Sequence, residues 1–413
     1  PTNWVSKFGG PVWEYVPEFD EYYLHLFDPT QADLNWFNED VQNEMCDILN
    51  FWINKGVRGF RFDVVNLISK PETWENDYEG DGRRFYTDGP RMHEYLKLMN
   101  SKAFGNGDFI TVGEMSSTSI ENCRKYSGEA EKELSMVFNF HHLKVDYKNK
   151  EKWTVMPFDF QELKQLFVKW QLGMQENKAW NALFWNCHDQ PRSLSRFGDD
   201  KNYPKESGKM LATTIHMMQG TPYIYQGEEI GMTNAYFTDI SQYRDVESMN
   251  YFEIMKSEGK TEEEIYQILA DKSRDNARTP MQWNADINAG FSTATPWIGV
   301  NPNYTTVNVE SALEDKESIF YHYQKLIQLR KTHKAISEGE YVPMLMEHDS
   351  VYAYRRVHDE EEILVLNNFY GKKTTVELED VEGYEVLISN YPNKDIQKTM
   401  ELDPYESIAY IRK

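Results

Sequence analysis

The sequence predicts an α/β fold built on a parallel sheet, followed by a small antiparallel β-sandwich. Apolar strand-like runs alternate with amphipathic helix-like segments up to about residue 342, and such alternation is typical of βα units. From about residue 343 onward, short runs with a period of two residues are separated by turn-forming residues, which is typical of an antiparallel sandwich. With 413 residues the chain exceeds the size at which a single core stops growing, so two or more domains are expected.

The first elements can be placed in order along the chain. Residues 1–37 are rich in aromatic side chains and irregular in pattern, and we expect them to line a substrate site rather than to form a domain of their own. A helix is predicted after Asn38, because apolar residues recur there every three or four positions, and Gly56 should end it. A strand then follows and ends at Asp63.

Strands and helices continue to alternate as far as Gly227. The predicted strands are FITVGEM, ELSMVFNFHHL, NALFWN and TPYIYQG, and the predicted helices include PRMHEYLKLMNSK, FQELKQLFVKWQLGM and SGKMLATTIHMMQ. Between Gly227 and about residue 315 the pattern indicates a long irregular stretch, of the kind that usually shapes a binding site. The strands predicted for the C-terminal module are SVYAYRRV, EEILVLNNF, KKTTVELED, YEVLISNY and ESIAYIRK.

Three predicted strands lead to an acidic residue: Asp63, Glu114 and Asp189. An acid at the C-terminal end of a barrel strand is more often catalytic than structural, and three such acids suggest convergence on one cleft. Cleavage of a glycosidic bond suits this set, because it needs one nucleophile or base and one proton donor. Taken singly, Asp63 could cap a helix or pair with Arg61, and Asp189 could form an ordinary pair with His188. The coincidence of all three favours a glycosidase.

The composition argues against several classes of partner. The formal net charge of −23 argues against nucleic acid and anionic membranes. No apolar run approaches the ~20 residues that a membrane span needs. The three scattered cysteines match neither a disulfide framework nor a zinc site, which favours a reducing cytoplasm, and no cofactor or metal is predicted.

Several short blocks resemble glycoside hydrolase family 13, the α-amylase family. QADLN, GFRFD, TVGEM and HDQPR are similar to sequence blocks of that family and occur in the same order, so the resemblance covers essentially the whole chain. SRDNARTPMQW and QGTPYIYQGEEIGM are similar to the oligo-1,6-glucosidase branch of the family. Within that branch, GDGRRFYTDGPR, VGEMSSTSIENCRKY and FNFHHLKVDY look like the trehalose-6-phosphate hydrolases.

The resemblance implies a (β/α)8 TIM barrel, of which this chain would carry only strands 4–8, with a C-terminal antiparallel β-sandwich domain. Residues 1–37 would be the end of the loop domain inserted after barrel strand 3, residues 38–342 the C-terminal part of the catalytic barrel, and residues 343–413 the sandwich. Three βα units are then expected before Pro1. Because an open five-stranded sheet leaves unpaired edges, we expect the 413-residue chain on its own to be inactive.

The resemblance also implies a role for each acid. Asp63 would be the nucleophile, Glu114 the general acid/base, and Asp189 the group that holds substrate hydroxyls and stabilises the transition state. A retaining mechanism places the first two carboxyl groups about 5 Å apart on opposite faces of the anomeric carbon. The implied substrate-binding residues beside these acids are Arg61, His188 and Arg278.

Two local basic clusters suggest a phosphorylated substrate. The clusters consist of Lys144, Lys148, Lys150 and Lys152 on one segment, and of Arg83 and Arg84 on another. A positive spot on a strongly acidic protein is what capture of a sugar phosphate requires. We favour Lys144, because it lies nearest to the end of a strand. The alternatives are an ordinary solvated turn for the lysines and pairing with nearby acids for the arginines.

The sequence therefore predicts a cytoplasmic retaining α-glucosidase that hydrolyses trehalose 6-phosphate to glucose and glucose 6-phosphate. The alternative is an oligo-1,6-glucosidase or dextran glucosidase that acts on neutral isomalto-oligosaccharides. A transglycosylating isomerase stays open, because the same covalent intermediate can pass to a sugar hydroxyl instead of water. A non-catalytic barrel is disfavoured, because all three acids are present.

Overall fold

The computed structural model describes residues 1–359 and 361–413. It divides into two compact units. The first unit contains Pro1–His141 and Leu172–Ala182, and the second contains His142–Gln171 and Leu183–Lys413. Among the described residues, none of the helices combines the length and apolar character needed to cross a lipid bilayer.

The first unit begins with an antiparallel hairpin and a long helix. Strands β1 (Trp13–Val16) and β2 (Glu21–Leu24) pair within the segment that was expected to be irregular. Helix α1 (Glu39–Asn54) starts where the sequence predicts, because the Asn38 side chain accepts a hydrogen bond of 2.8 Å from the Asp40 amide. The helix ends just before Gly56, whose φ of 96° is readily adopted only by glycine.

A parallel sheet forms the centre of the first unit, as predicted. Its three strands, in the order β3-β4-β5, are β3 (Gly59–Phe62), β4 (Ile110–Glu114) and β5 (Met136–Phe138). The helices between these strands are α2 (Arg83–Tyr86), α3 (Met92–Met99), a π-helical turn over Asn100–Phe104, and α4 (Ile120–Ser127). Because parallel strands end at the same edge of a sheet, the residues that follow β3 and β4 come together there.

The chain continues through α5 (Phe160–Glu176), β6 (Ala182–Leu183), α6 (Ser193–Phe197), α7 (Pro204–His216) and β7 (Thr221–Pro222). Strands β6 and β7 form a two-stranded sheet and are shorter than the apolar runs that predicted them. After Leu183, the Phe184 carbonyl accepts a hydrogen bond of 2.8 Å from His142 Nε2 instead of continuing the strand. Pro222 has no N–H to donate to a ladder, so the second apolar run also leaves the sheet early.

The prediction of an irregular stretch from Gly227 to about residue 315 is wrong for residues 246–272, whereas residues 273–308 contain only short 3-10 turns. This stretch contains helices α8 (Val246–Ser257), α9 (Glu262–Lys272) and α10 (Val309–Glu314). Helix α9 begins at a capping box in which Thr261 and Glu264 each bond the backbone of the other. Its apolar residues Ile265, Ile268 and Leu269 pack into a buried cluster with residues of α8. Two more helices follow, α11 (Ile319–Thr332) and α12 (Lys334–Glu338).

The C-terminal part is an antiparallel β-structure, as predicted. A five-stranded sheet has the order β12-β14-β10-β9-β8, and β11 and β13 form a second, two-stranded sheet. The strands are β8 (Glu340–Met344), β9 (Val351–His358), β10 (Glu361–Asn368), β11 (Thr374–Glu377), β12 (Glu385–Ser389), β13 (Thr399–Leu402) and β14 (Ser407–Arg412). Residues of both sheets share one core, which includes Val351, Leu364, Leu366, Val376, Met400, Leu402 and Ile408.

Candidate active site

Two of the predicted catalytic acids lie where β3 and β4 end. Asp63 directly follows β3, and Glu114 is the last residue of β4. Arg61 lies two residues before Asp63 and therefore projects from the same face of the strand. Its guanidinium donates through Nη1 to Asp63 Oδ1 and through Nη2 to Glu114 Oε2. The side chain of Asp63 is 73% exposed, whereas that of Glu114 is only 6% exposed. The arginine thus links one accessible and one buried carboxylate.

The residue after Asp63 has an unusual backbone conformation. Val64 has φ 33° and ψ 42°, in the left-handed region that a β-branched residue rarely adopts. In this conformation its N–H points to Glu114 Oε2 at 3.4 Å. Strained backbone of this kind persists only where surrounding contacts hold it, and such strain is common at active sites.

The third predicted acid, Asp189, lies among positive groups in the second unit. His188 Nε2 is 3.2 Å from Asp189 Oδ2. Arg274 Nη1 and Arg278 Nη2 both donate to Asp189 Oδ1, at 3.1 and 3.0 Å, and Arg278 Nε donates to the His188 carbonyl at 2.8 Å. Burial acts to raise the pKa of Asp189, but His188 and the two guanidiniums outweigh it and hold the pKa well below its usual range. Asp189 is therefore ionised at neutral pH.

Arg274 is a contact of Asp189 that the sequence analysis missed. It lies four residues before Arg278 in the same SRDNARTPMQW block, so the block itself carried the signal. Its Nη2 donates to the buried Asp245 at 2.5 Å, and its Nε lies 3.4 Å from Glu247. Glu247 in turn forms an ion pair of 2.7 Å with Lys152, which was predicted as part of the basic segment. Lys152 is therefore committed to this internal network.

A buried glutamate supports the segment that carries His188 and Asp189. Asn186 Nδ2 donates to Glu228 Oε2 at 2.6 Å, and the hydroxyl of Tyr323 donates to Glu228 Oε1 at 2.5 Å. Asn186 also pairs with Ser193 through two hydrogen bonds, of 2.6 and 2.8 Å, which close the segment between them. Burial raises the pKa of Glu228 to about 7 although its hydrogen bonds act to lower it.

This raised pKa has a consequence for stability. The folded protein disfavours ionised Glu228. The contribution that protonated Glu228 makes to the free energy of unfolding is therefore full below pH 4.5 and is lost as the pH rises through about 7. The gap between 4.5 and about 7 corresponds to at most ~3 kcal/mol. We expect Glu228→Gln, which cannot ionise, to avoid this loss.

Urea unfolding at pH 5 and pH 8 tests this expectation. Between these two pH values, the free energy of unfolding should decrease less for the variant than for the wild-type protein. The exposed Glu314→Gln serves as the control, and parallel pH curves for wild type and Glu228→Gln would contradict the expectation.

The remaining predicted residues are basic, and among them Lys148 and Lys150 are exposed. Arg83 forms an ion pair of 2.8 Å with Asp81, and Arg84 forms ion pairs with Asp77 at 3.0 Å and with Glu79 at 2.8 Å. Pairing with nearby acids was the alternative that the sequence left open for these arginines. Lys144 lies on the surface of the second unit, in the turn after a 3-10 segment over His141–Leu143.

Within residues 1–359 and 361–413, no group of three or more His, Cys, Asp or Glu residues is arranged to hold a metal ion. The carboxyl groups of Asp63, Glu114 and Asp189 can transfer protons, attack as nucleophiles or stabilise positive charge.

Comparison with known proteins places this chain in a family. A family model described as the alpha amylase catalytic domain matches residues 1–339, and one described as the alpha-amylase SusG C-terminal domain matches residues 351–409. The trehalose-6-phosphate hydrolase of Bacillus subtilis (strain 168) is 55% identical over 99% of this chain and 74% of the relative. The oligo-1,6-glucosidase of Bacillus cereus is 46% identical over 99% of this chain and 75% of the relative.

A solved structure agrees with these sequence matches. The crystal structure of Bacillus licheniformis trehalose-6-phosphate hydrolase superposes with a TM-score of 0.96 at 55% identity, and the match covers 100% of this chain and 76% of that chain. The predicted fold class is confirmed: an α-amylase catalytic barrel is followed by a C-terminal antiparallel β-domain. The chain belongs to the α-amylase family of glycoside hydrolases.

Proposed function

We propose that the protein is a retaining α-glucosidase that hydrolyses trehalose 6-phosphate to glucose and glucose 6-phosphate. The observation that carries this proposal is the 55% identity, over 99% of the chain, to a trehalose-6-phosphate hydrolase. The placement of Asp63 and Glu114 at the ends of neighbouring parallel strands supports it, because glycoside hydrolysis uses two carboxyl groups.

In the proposed first step, Asp63 attacks the anomeric carbon of the unphosphorylated glucose. Glu114 gives its proton to the glycosidic oxygen, the carbon–oxygen bond breaks, and glucose 6-phosphate leaves. Glu114 then takes a proton from water, which attacks the glucosyl-Asp63 ester and releases glucose with its anomeric configuration retained. The exposure of the Asp63 side chain and the burial of Glu114 suit an accessible nucleophile and a shielded proton donor.

Asp189 is proposed to act as a charged acceptor. Its low pKa keeps it ionised, so it can accept hydrogen bonds from two sugar hydroxyls and stabilise the positive charge that develops on the ring in the transition state. Arg274 and Arg278 hold its Oδ1, and His188 Nε2 lies 3.2 Å from its Oδ2. Arg61, His188 and Arg278 are each proposed to bind substrate hydroxyls.

The phosphate is proposed to bind basic side chains, with Lys144 as the main candidate. Lys144 lies at the surface, and Arg83 and Arg84 are half-exposed within their ion pairs. A surface lysine can approach a phosphate without a large desolvation penalty.

Replacing Lys144 tests this assignment. We expect Lys144→Ala to raise KM for trehalose 6-phosphate by roughly 10-fold, because one charge-assisted hydrogen bond is lost. The activity toward unphosphorylated trehalose should stay unchanged. Lys148 is exposed, and Lys148→Ala should change the activity toward neither substrate. If Lys144→Ala lowers the turnover of both sugars equally, Lys144 does not bind the phosphate.

The chemical outcome of the reaction tests the proposed function itself. The full-length enzyme incubated with trehalose 6-phosphate should yield equal amounts of glucose and glucose 6-phosphate. Proton NMR during the first minutes should show the α-anomer of the newly released glucose before mutarotation. Release of the β-anomer would refute the retaining mechanism. Hydrolysis of isomaltose alone would favour the oligo-1,6-glucosidase alternative, which the 46% identity to such an enzyme supports.

The proposal also includes location and partners. We propose a cytoplasmic enzyme whose partner is a small phosphorylated sugar, with neither nucleic acid nor membrane as a ligand. The net charge of −23 and the few scattered cysteines support this assignment.

A further inference from the structure

The Asn66 side chain joins the segment after Asp63 to the segment after Glu114. Asn66 lies three residues after Asp63 and is fully buried. Its Oδ1 accepts a hydrogen bond of 2.8 Å from the Ser116 amide, and its Nδ2 donates at 2.9 Å to the Ser116 carbonyl. Ser116 lies two residues after Glu114. The Asn66 amide therefore satisfies both backbone groups of Ser116 and ties the two acid-bearing segments together.

Asp88 anchors this amide from the other side. Asp88 Oδ1 accepts from Asn66 Nδ2 at 2.9 Å and from the Tyr126 hydroxyl at 2.7 Å. Its Oδ2 accepts from Thr118 Oγ1 and from Asn122 Nδ2, both at 2.9 Å. The Asp88 amide also donates to the Asn66 carbonyl at 2.9 Å. Four side-chain donors converge on one carboxylate, which fixes the orientation of the Asn66 amide.

The joined segments enclose the strained residue Val64. Val64 lies between Asp63 and Asn66, and its left-handed conformation directs its N–H to Glu114. A β-branched residue leaves this conformation unless its neighbours hold it. The turn immediately after Val64 is held by a backbone hydrogen bond of 3.0 Å from the Leu67 amide to the Val64 carbonyl and by the hydrogen bonds of Asn66 to Ser116 and Asp88.

We propose that Asn66 is a positioning residue that sets the placement of Glu114 relative to Asp63, with Asp88 holding the Asn66 amide in orientation. This inference rests on the roles assigned to the two acids in the proposed function. Retaining hydrolysis places its two carboxyl groups about 5 Å apart, and catalytic groups must be held within about 0.5 Å of their productive positions. Asn66 does not touch the substrate; it acts through the backbone on either side of the acids.

The test uses two substrates that differ in their need for a proton. Asn66→Asp keeps the shape of the side chain but removes the donor to Ser116 and Asp88 and adds a negative charge beside Asp88. We expect kcat/KM for trehalose 6-phosphate to fall roughly 100-fold, the size of effect that a misplacement of about 1 Å can cause. For p-nitrophenyl α-glucoside, kcat/KM should fall only about 10-fold, because p-nitrophenolate leaves with little help from an acid. The inhibition constant of glucose should stay within about 3-fold, because the sugar-binding groups are untouched.

Asn50→Asp is the matched control. It makes the same change at an asparagine of the same unit, whose Nδ2 donates to the Lys102 carbonyl at 3.1 Å, outside the acid-bearing segments. We expect its kcat/KM values to stay within about 3-fold of wild type.

The outcomes separate this inference from the proposed function. If the wild-type enzyme hydrolyses neither substrate, the proposed function fails. If the wild type is active and Asn66→Asp lowers kcat/KM equally for both substrates, or for neither, Asn66 is not a positioning residue. If Asn66→Asp does not fold, as judged by the loss of a cooperative melting transition, Asp88→Asn decides the question. The proposal then requires Asp88→Asn to lower kcat/KM by roughly 10-fold for trehalose 6-phosphate and by a smaller factor for p-nitrophenyl α-glucoside. Equal losses for Asp88→Asn overturn it.

Discussion

Asp63→Asn is expected to lower kcat for trehalose 6-phosphate by about 10⁴-fold or more, because an amide cannot form the covalent glucosyl ester. The fold should survive, since the Asp63 side chain is 73% exposed and bonds Arg61 on its own strand face. The loss should fall on kcat with little change in KM, because the role proposed for Asp63 is at the reacting carbon, where it contributes mainly to the transition state. Steady-state kinetics together with thermal melting measure both parts.

An exposed aspartate in the same unit provides the comparison. Asp108 precedes β4 at the opposite end from Glu114, and Asp108→Asn should leave kcat within about 2-fold of the wild-type value. If Asp63→Asn keeps more than about 1% of wild-type turnover, Asp63 is not the nucleophile and the proposed mechanism is wrong.

Glu114→Gln is expected to have the second-largest effect, and its size should depend on the leaving group. For trehalose 6-phosphate, whose leaving sugar must be protonated, kcat/KM should fall by roughly 10³-fold. For p-nitrophenyl α-glucoside the first step needs little acid, so the glucosyl enzyme should form and then accumulate, because water is no longer activated. Rapid-mixing experiments should therefore show a burst of p-nitrophenolate equal to the enzyme concentration.

The exposed residue Glu44 on α1 serves as the control, since Glu44→Gln should show neither the loss nor the burst. Equal losses on the two substrates, without a burst, would mean that Glu114 is not the proton donor. The same result would remove the basis for Asn66 as a positioning residue.

The sequence carried the information for the parallel strands and for the acids that follow them. Short apolar runs that stop at an acidic residue are strong signals, because an acid at the C-terminal end of a barrel strand is more often catalytic than structural. The pairing of Asp63 with Arg61, one of the two alternatives that the sequence left open for Asp63, is present in the structure. The C-terminal strands were also recognisable from their period of two residues.

Other features could not be predicted because they depend on contacts between distant parts of the chain. Arg274 reaches Asp189 across 85 positions, and Asn66 reaches Ser116 across 50. The burial that raises the pKa of Glu228 comes from the tertiary fold, not from its neighbours in sequence. The missed helix α9 is different, because the capping box of Thr261 and Glu264 was visible in the sequence and was not recognised.

The most direct test compares two sugars on the full-length enzyme. The preference for a phosphorylated α-glucoside is the central claim, and kcat/KM for trehalose 6-phosphate against isomaltose measures it. We expect trehalose 6-phosphate to be preferred by about 100-fold or more, because phosphate contacts made by positive side chains are available to only one of the two substrates. Equal values, or a preference for isomaltose, would contradict the claim and identify the enzyme as a glucosidase of neutral sugars.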